Sequence, residues 1–185
     1  MADHFSGEIS IGGKVPLSKI PGLIEAINAQ ECSHGWGDKT IKMPYPKDHL
    51  MEATEKLLTL INDDGIIWVC DEQARNGELE EIEDYCEENN IGFTRISSGY
   101  CEYEPETKEF RPGMKSPIVI LTNDDGNEMI PAGEVRELIE AVENLGGTAE
   151  NIDREDFMSL IEKNGIVKTF LPVLPPVLEP FEIVE

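Results

Sequence analysis

The residue types in this chain that could do chemistry gather at a few places. The tetrad Asn-Asp-Asp-Gly occurs twice, at Asn62–Gly65 and Asn123–Gly126, and invites comparison with a calcium loop. An EF-hand loop with glycine sixth needs an acidic first position and a Glu twelfth. Those positions hold Leu121 and Ala132 in one case, and Leu60 and Asp71 in the other. Both motifs therefore read as turns, where Asn and Asp tolerate left-handed backbone and Gly has no Cβ to clear. Asp71-Glu72 follow the most apolar run of the chain and precede a helix, which is where open α/β sheets place ligands. Paired carboxylates there, with Asp63 or Asp64 from the preceding turn, have the chemistry to hold Mg²⁺ for phosphate transfer. No Lys or His stands near them in sequence to complete such a site.

A thiol and an imidazole meet in Cys32-Ser33-His34, with Asp38 close by. Adjacent residues rarely reach nucleophile–base geometry, because the two groups usually come from different elements. His4 and His49 are the remaining histidines, so acid–base chemistry near neutral pH has few candidates. Glu106-Thr107-Lys108 supplies the Glu-x-Lys of a restriction-type nuclease, but after Pro105 it belongs to a turn. The chain contains no Gly-x-Ser-x-Gly, no Gly-x-x-x-x-Gly-Lys and no Gly-x-Gly-x-x-Gly. Gly12-Gly13-Lys14 follows a strand, yet Pro16 and Pro21 remove two of the N–H groups a phosphate cradle would use. No metal ligand set or cofactor is implied.

Charge is the largest anomaly. Fifteen basic residues stand against 38 acidic ones, a net charge of -23. Residues 1–46 hold four Lys and five Asp or Glu; residues 47–115 hold 7 basic and 18 acidic, and residues 116–185 hold 4 and 15. Such a field repels phosphate backbones and speeds encounter with basic surfaces, which argues against direct nucleic-acid binding. Carboxylates crowd the helix after residue 78, at Glu80, Glu81, Asp84, Glu87 and Glu88, and continue at Glu102, Glu104, Glu106 and Glu109. The four cysteines, Cys32, Cys70, Cys86 and Cys101, are too widely spaced for a Cys-x-x-Cys pair and read as reduced thiols. Residues 1–8 show neither the basic nor the apolar region of a secretory signal, and no apolar run is long enough to span a bilayer. The expectation is a cytoplasmic protein.

The elements that position these residues follow from periodicity. Residues 5–15 read as a strand, alternating apolar and polar from Ile9 onward as a half-buried strand does. A helix beginning at Ser18 carries Ile20, Leu23, Ile24 and Ile27 at i, i+3, i+4 and i+7. Residues 31–46 lose periodicity and form a loop in which Gly35 and Gly37 flank Trp36. Asp48–Ile61 reads as a helix with Leu50, Met51, Thr54, Leu57, Leu58 and Ile61 on one face. Gly65–Cys70 is a continuous apolar run, the pattern of a central strand covered on both faces. The Glu78–Asn89 helix places Leu79, Ile82 and Cys86 inward and its carboxylates, Glu83 among them, outward. Strands follow at Ile91–Ser97, Tyr100–Glu104, Lys108–Arg111 and Pro117–Thr122, with a turn at Glu104–Thr107 between the middle pair. The segment Ile130–Val142 repeats Val15–Ile27, sharing Pro, Leu, Ile, Glu and Ala at equivalent positions. A short helix is expected over Asp153–Lys163, and the proline-rich tail from Phe170 must be extended.

These readings predict an α+β fold: a mixed, largely antiparallel sheet of five to seven strands with helices packed on it and an internal pseudo-repeat of a strand-Pro-helix unit. Residues 1–169 form the globular part, divisible into lobes 1–65 and 66–169, and residues 170–185 form an extended apolar tail. The function expected is that of a non-catalytic acidic interaction protein engaging a basic protein surface, in the manner of an inhibitor, immunity factor or DNA mimic. Glu80, Glu81, Asp84, Glu87, Glu88, Glu102 and Glu104 are its candidate contacts. One alternative is a small metal-dependent or thiol enzyme whose site, lined by His34, Trp36, Asp71 and Glu72, lies between the 31–46 loop and Asp71/Glu72. Another is a structural subunit of a homo-oligomer clasped by the tail.

Overall fold

Alternation in the first strand sets the sheet. A computed structural model describes residues 3–101, 103–123, 125–129, 133, 136, 140 and 175–185. The chain divides into two compact units, Met1–Asn127 with Pro175–Glu185, and Glu128–Leu174; all the strands and helices described here belong to the first. In β1 (His4–Gly12) Phe5, Gly7, Ile9 and Ile11 are buried, while His4, Ser6, Glu8 and Ser10 take the other face. β1 pairs antiparallel with β3 (Ile67–Arg75) on one side and β4 (Gly92–Ser97) on the other. β5 (Glu106–Phe110) and β6 (Ile118–Leu121) extend the sheet, giving five antiparallel strands in the order β3-β1-β4-β5-β6. A short parallel pair joins β2 (Lys14–Pro16) to β7 (Glu182–Val184). The fold is thus α+β, with three helices on the sheet: α1 (Ile20–Gln30), α2 (Pro46–Leu58) and α3 (Glu80–Glu88).

Ile20, Leu23, Ile24 and Ile27 are fully buried, as their spacing requires. The chain enters α1 through a 3₁₀ turn at Leu17–Lys19 rather than an α-helical turn from Ser18. Pro21 falls in the first turn of α1, where its missing N–H leaves no bond unmade. Helix α2 departs further from expectation. Its buried residues are Pro46, Ala53 and Leu57, while Leu50, Met51 and Leu58 are exposed. A break at His49 (φ -139°, ψ 45°) interrupts the first turn, and beyond it Ala53 and Leu57 face the core at i and i+4 while Met51 and Leu58, seven residues apart, share the outer side.

The apolar run Ile67–Cys70 lies in an edge strand, not a central one. Its composition reflects how that edge is covered. Ser33 exchanges backbone hydrogen bonds with Cys70, at 2.7 and 2.9 Å, and Trp68 N donates to Leu60 O at 3.3 Å. Two loops therefore occupy the donors and acceptors that an open edge would present to another chain. Asp71 and Glu72 lie within this strand rather than beyond its end, because β3 runs on to Arg75. Of the described residues in Tyr100–Glu104 none lies in a strand; Tyr100 and Tyr103 close a turn by mutual hydrogen bonds of 2.9 Å. Glu106-Thr107-Lys108 stands in β5 instead of a turn.

Glu83 is the clearest departure from the sequence reading. It faces inward and is 2% exposed, packed against Arg95 at 1%. Leu79, Ile82, Glu83 and Cys86 form one stripe at i, i+3, i+4 and i+7, so α3 presents a carboxylate to the sheet along with three apolar groups. Arg95 and Lys108 are directly opposed on β4 and β5. Glu83 Oε1 accepts from Leu79 N at 2.8 Å and from Arg95 Nε at 3.2 Å, and Lys108 Nζ lies 2.9 Å from Oε2. Lys108 also reaches Glu87 at 2.8 Å, and Arg95 Nη2 reaches Glu106 at 2.6 Å. Burial draws the Lys108 ammonium down, but its hydrogen bond to Glu87 and the charge of Glu83 outweigh this and hold it above the ordinary lysine value. The i,i+4 repulsion between Glu83 and Glu87 is thereby relieved by one shared cation.

Residues 175–185 lie along the first unit. Leu178 and Phe181 are buried, Phe181 N donates to Gly65 O at 2.8 Å, and Arg111 Nε donates to Pro176 O at 2.8 Å. Gly12 permits this approach: a Cβ there would collide with Glu179 O. Asn62 and Asn123 each close the turns expected of them, their Oδ1 atoms accepting from Asp64 and Ile66 and from Asp125 and Asn127. The second copy of the repeat lies outside the described residues, apart from Gly133, Arg136 and Glu140, as do Glu102, the Asp153–Lys163 helix and the tail before Pro175.

Removing Glu83 leaves Arg95 and Lys108 without their shared carboxylate in a buried site. Glu83→Ala is expected to cost about 3–5 kcal/mol in urea unfolding, whereas Glu80→Ala on the exposed face should stay within about 0.5 kcal/mol of the parent. Equal costs for the two would contradict the buried network.

Candidate functional sites

Helices α1 and α3 pack side by side because Gly22 offers no side chain to the ring of Tyr85. Tyr85 OH donates to Lys19 O at 2.7 Å, Lys19 Nζ donates to Asn89 Oδ1 at 2.7 Å, and Glu81 N donates to Gln30 Oε1 at 3.2 Å. Between the helices runs an open groove of about 340 Å³. Glu25 of α1 and Glu81, Asp84 and Glu88 of α3 line it, with Ala26, Ala29 and Tyr85 as its less polar wall, and among the described residues no Lys, Arg or His lines it. Burial raises the Tyr85 phenol above its ordinary value, with the charge of Glu25 acting in the same direction.

Of the carboxylates singled out from the sequence, Glu80, Glu81, Asp84 and Glu88 are exposed on α3. Glu87 is partly buried and tied to Lys108. Glu104 is exposed in the connection between β4 and β5. Glu25 was missed. It sits on the polar side of α1, and only the pairing of that helix with α3 turns it into a wall of the groove.

A second cluster forms where the 31–46 loop meets β3. The imidazole Nδ1 of His34 lies 3.2 Å from Trp68 O, Gly37 N donates to Glu72 Oε1 at 2.6 Å, and Trp36 meets Trp68 edge-on with ring centroids 6.0 Å apart. His34, Trp36 and Glu72 are thus brought to one strand. Asp71 makes a local contact instead, its Oδ1 accepting from Gln73 N at 2.8 Å. Glu8, on the same sheet face as Trp68, was also missed, since nothing in a strand's alternation marks one outward Glu as half-buried. Burial raises its carboxyl above the ordinary value, against a smaller opposing effect of the Trp68 side chain.

The thiols are placed away from this chemistry. Cys32 is buried, its Sγ 3.8 Å from Ile27 O, while His34 is exposed and engages Trp68 O. Burial pushes the Cys32 thiol up to about 12 and the Cys70 thiol up to about 11, where neighbouring carboxylates add to the effect. Cys86 is buried and raised as well, and Cys101 is exposed. Among the described residues no three His, Cys, Asp or Glu side chains are grouped to hold a metal ion, and no helix is long and apolar enough to cross a membrane.

Thiol accessibility gives a direct check of this placement. At pH 8 a disulfide reagent should modify Cys101 rapidly in the native protein and the other three cysteines only on unfolding. Rapid modification of Cys32 or Cys70 at native conditions would contradict it. Comparison with known proteins adds no assignment: no family model matches the chain, and no curated protein or solved structure matches it.

Proposed function

We propose that this chain is a non-catalytic, strongly acidic interaction protein whose α1–α3 face binds a basic protein surface, as an inhibitor, immunity-type factor or nucleic-acid mimic does. The observation that carries this reading is the groove lined by Glu25, Glu81, Asp84 and Glu88 with no cation among the described residues that line it. By contrast, four carboxylates at the sheet are matched to cations: Glu83, Glu87 and Glu106 share Arg95 and Lys108, and Glu109 pairs with Arg111 at 3.1 Å. Among the described residues the groove carboxylates have no cationic partner. Carboxylates in this setting steer a positively charged partner from beyond contact distance and fix its register on arrival.

A chain of net charge -23 attracts cations in general, so specificity must be separated from bulk charge. Proteins captured from a lysate at low salt would be titrated individually against the parent and against the isosteric variant E81Q/D84N/E88Q at several salt concentrations. The expected partner is basic, its affinity falls steeply with added salt, and the variant binds at least about tenfold more weakly. An affinity indifferent to salt, or equal for parent and variant, would contradict the assignment.

A further inference from the structure

The sheet face opposite α1 and α3 holds a cavity of different character. Ser6 and Glu8 of β1 and Ile96 of β4 stand on that face, and with Trp36 and Ser98 they border about 380 Å³. That volume lies within the range of small ligand sites. Much of the polar surface there is already engaged. Ser6 Oγ donates to Ser98 Oγ at 2.7 Å, and Ser98 Oγ in turn lies within hydrogen-bonding reach of Ser6 O. Asn123 Oδ1 accepts from two backbone N–H groups of its own turn.

Glu8 is the exception. Among the described residues its carboxylate forms no ion pair, and the Trp68 side chain is its one compensating neighbour. Beside it Trp36 is 48% exposed, with its orientation fixed edge-on against Trp68. Among the described residues no Lys, Arg or His lines the cavity. A carboxylate half withdrawn from water next to an anchored indole suits a cation that also offers a flat, weakly hydrated surface. Guanidinium has both properties, since it stacks on aromatic rings and donates two parallel N–H bonds to a carboxylate. Ammonium is more strongly hydrated and has no plane to stack.

We propose that this cavity takes one arginine side chain of a basic protein partner, with Glu8 pairing the guanidinium and Trp36 covering it. The inference rests on the basic-partner reading but uses the other face of the sheet, so the two can fail separately. The ionised form of Glu8 is the one that burial opposes, so E8Q should fold at least as stably as the parent above the range where Glu8 titrates.

The test uses the full chain, the peptide acetyl-Gly-Gly-Arg-Gly-Gly-amide, and counterparts with citrulline or lysine in place of arginine, read by NMR at the two tryptophan indole N–H groups. The arginine peptide should shift the Trp36 signal saturably, and the citrulline and lysine peptides should bind at least about tenfold and threefold more weakly. E8Q should weaken the arginine peptide about tenfold, as expected for loss of a charge-assisted hydrogen bond, with its melting temperature retained. E81Q/D84N/E88Q should bind the peptide within about twofold of the parent. Equal binding of arginine and citrulline peptides, an unmoved Trp36 signal, or parent-like affinity in E8Q would each overturn the assignment. Lysine binding as tightly as arginine would overturn the guanidinium specificity, and free arginine binding more tightly than the peptide would overturn a protein source. Peptide binding lost in E81Q/D84N/E88Q and kept in E8Q would reject the cavity while leaving the α1–α3 groove as the basic-partner site.

Discussion

Between α3 and the sheet, Glu83 holds two cations at once, and the arrangement of the first unit depends on that. A carboxylate buried alone would be protonated or would disrupt the packing around it; Arg95 and Lys108 alone would do the same with opposite sign. Together their charges compensate one another, and Leu79 N adds a further donor to Glu83, while Arg95 Nη1 is buried without a hydrogen-bond partner. The geometry leaves little freedom. β4 and β5 must pair with Arg95 opposite Lys108, and α3 must present Glu83 between them. A one-residue slip of either strand would send its cation to the other face. The apolar layer beside this network, with Ile11 opposite Ile67 and Phe93, supplies most of the burial, while the ion pairs fix register and helix position.

This network also sorts the acidic residues by role. Those facing the sheet, or bordering it as Glu87 and Glu106 do, have cationic partners within 3.2 Å. Those on the exposed side of α3 and across from it on α1 have none in the groove they line. Self-repulsion along such a helix face opposes folding, so its composition is not explained by stability. The same contrast holds on the other sheet face, where Arg111 satisfies Glu109 but Glu8 stands without a cation.

Several features were legible in the sequence. Of the strand read over residues 5–15, the part to Gly12 alternates in β1 and the rest turns at Gly13 into β2 of another sheet; the α1 stripe is buried at all four positions, and both Asn-Asp-Asp-Gly motifs make the turns their residue types favour. The α+β class followed from these. Where reading failed, the cause was tertiary. The Ile67–Cys70 run resembled a central strand because two loops bury its edge, a form of coverage that periodicity cannot distinguish from a second neighbouring strand. In α2 the core takes Ala53 and Leu57 and leaves Met51 and Leu58 outside, a choice of face that a helix with apolar residues on several sides does not announce. Glu83 carried a signal that was passed over: it completes the Leu79, Ile82, Cys86 stripe, and Arg95 shares inward parity with Phe93 in β4. Reading charged residues as outward by default concealed that match. Of the candidate site, α3's exposed carboxylates were visible from sequence, whereas Glu25 and Glu8 acquire meaning only from the elements beside them.

The central claim is that the carboxylates of the α1–α3 groove are not required by the fold. Its most direct test is the unfolding free energy of E81Q/D84N/E88Q measured against the parent at low and at high salt. If these residues serve an external partner, the variant is more stable than the parent at low salt, and the difference shrinks as salt screens their repulsion. A variant less stable than the parent at every salt concentration would show that these carboxylates hold the fold together, and would contradict the account.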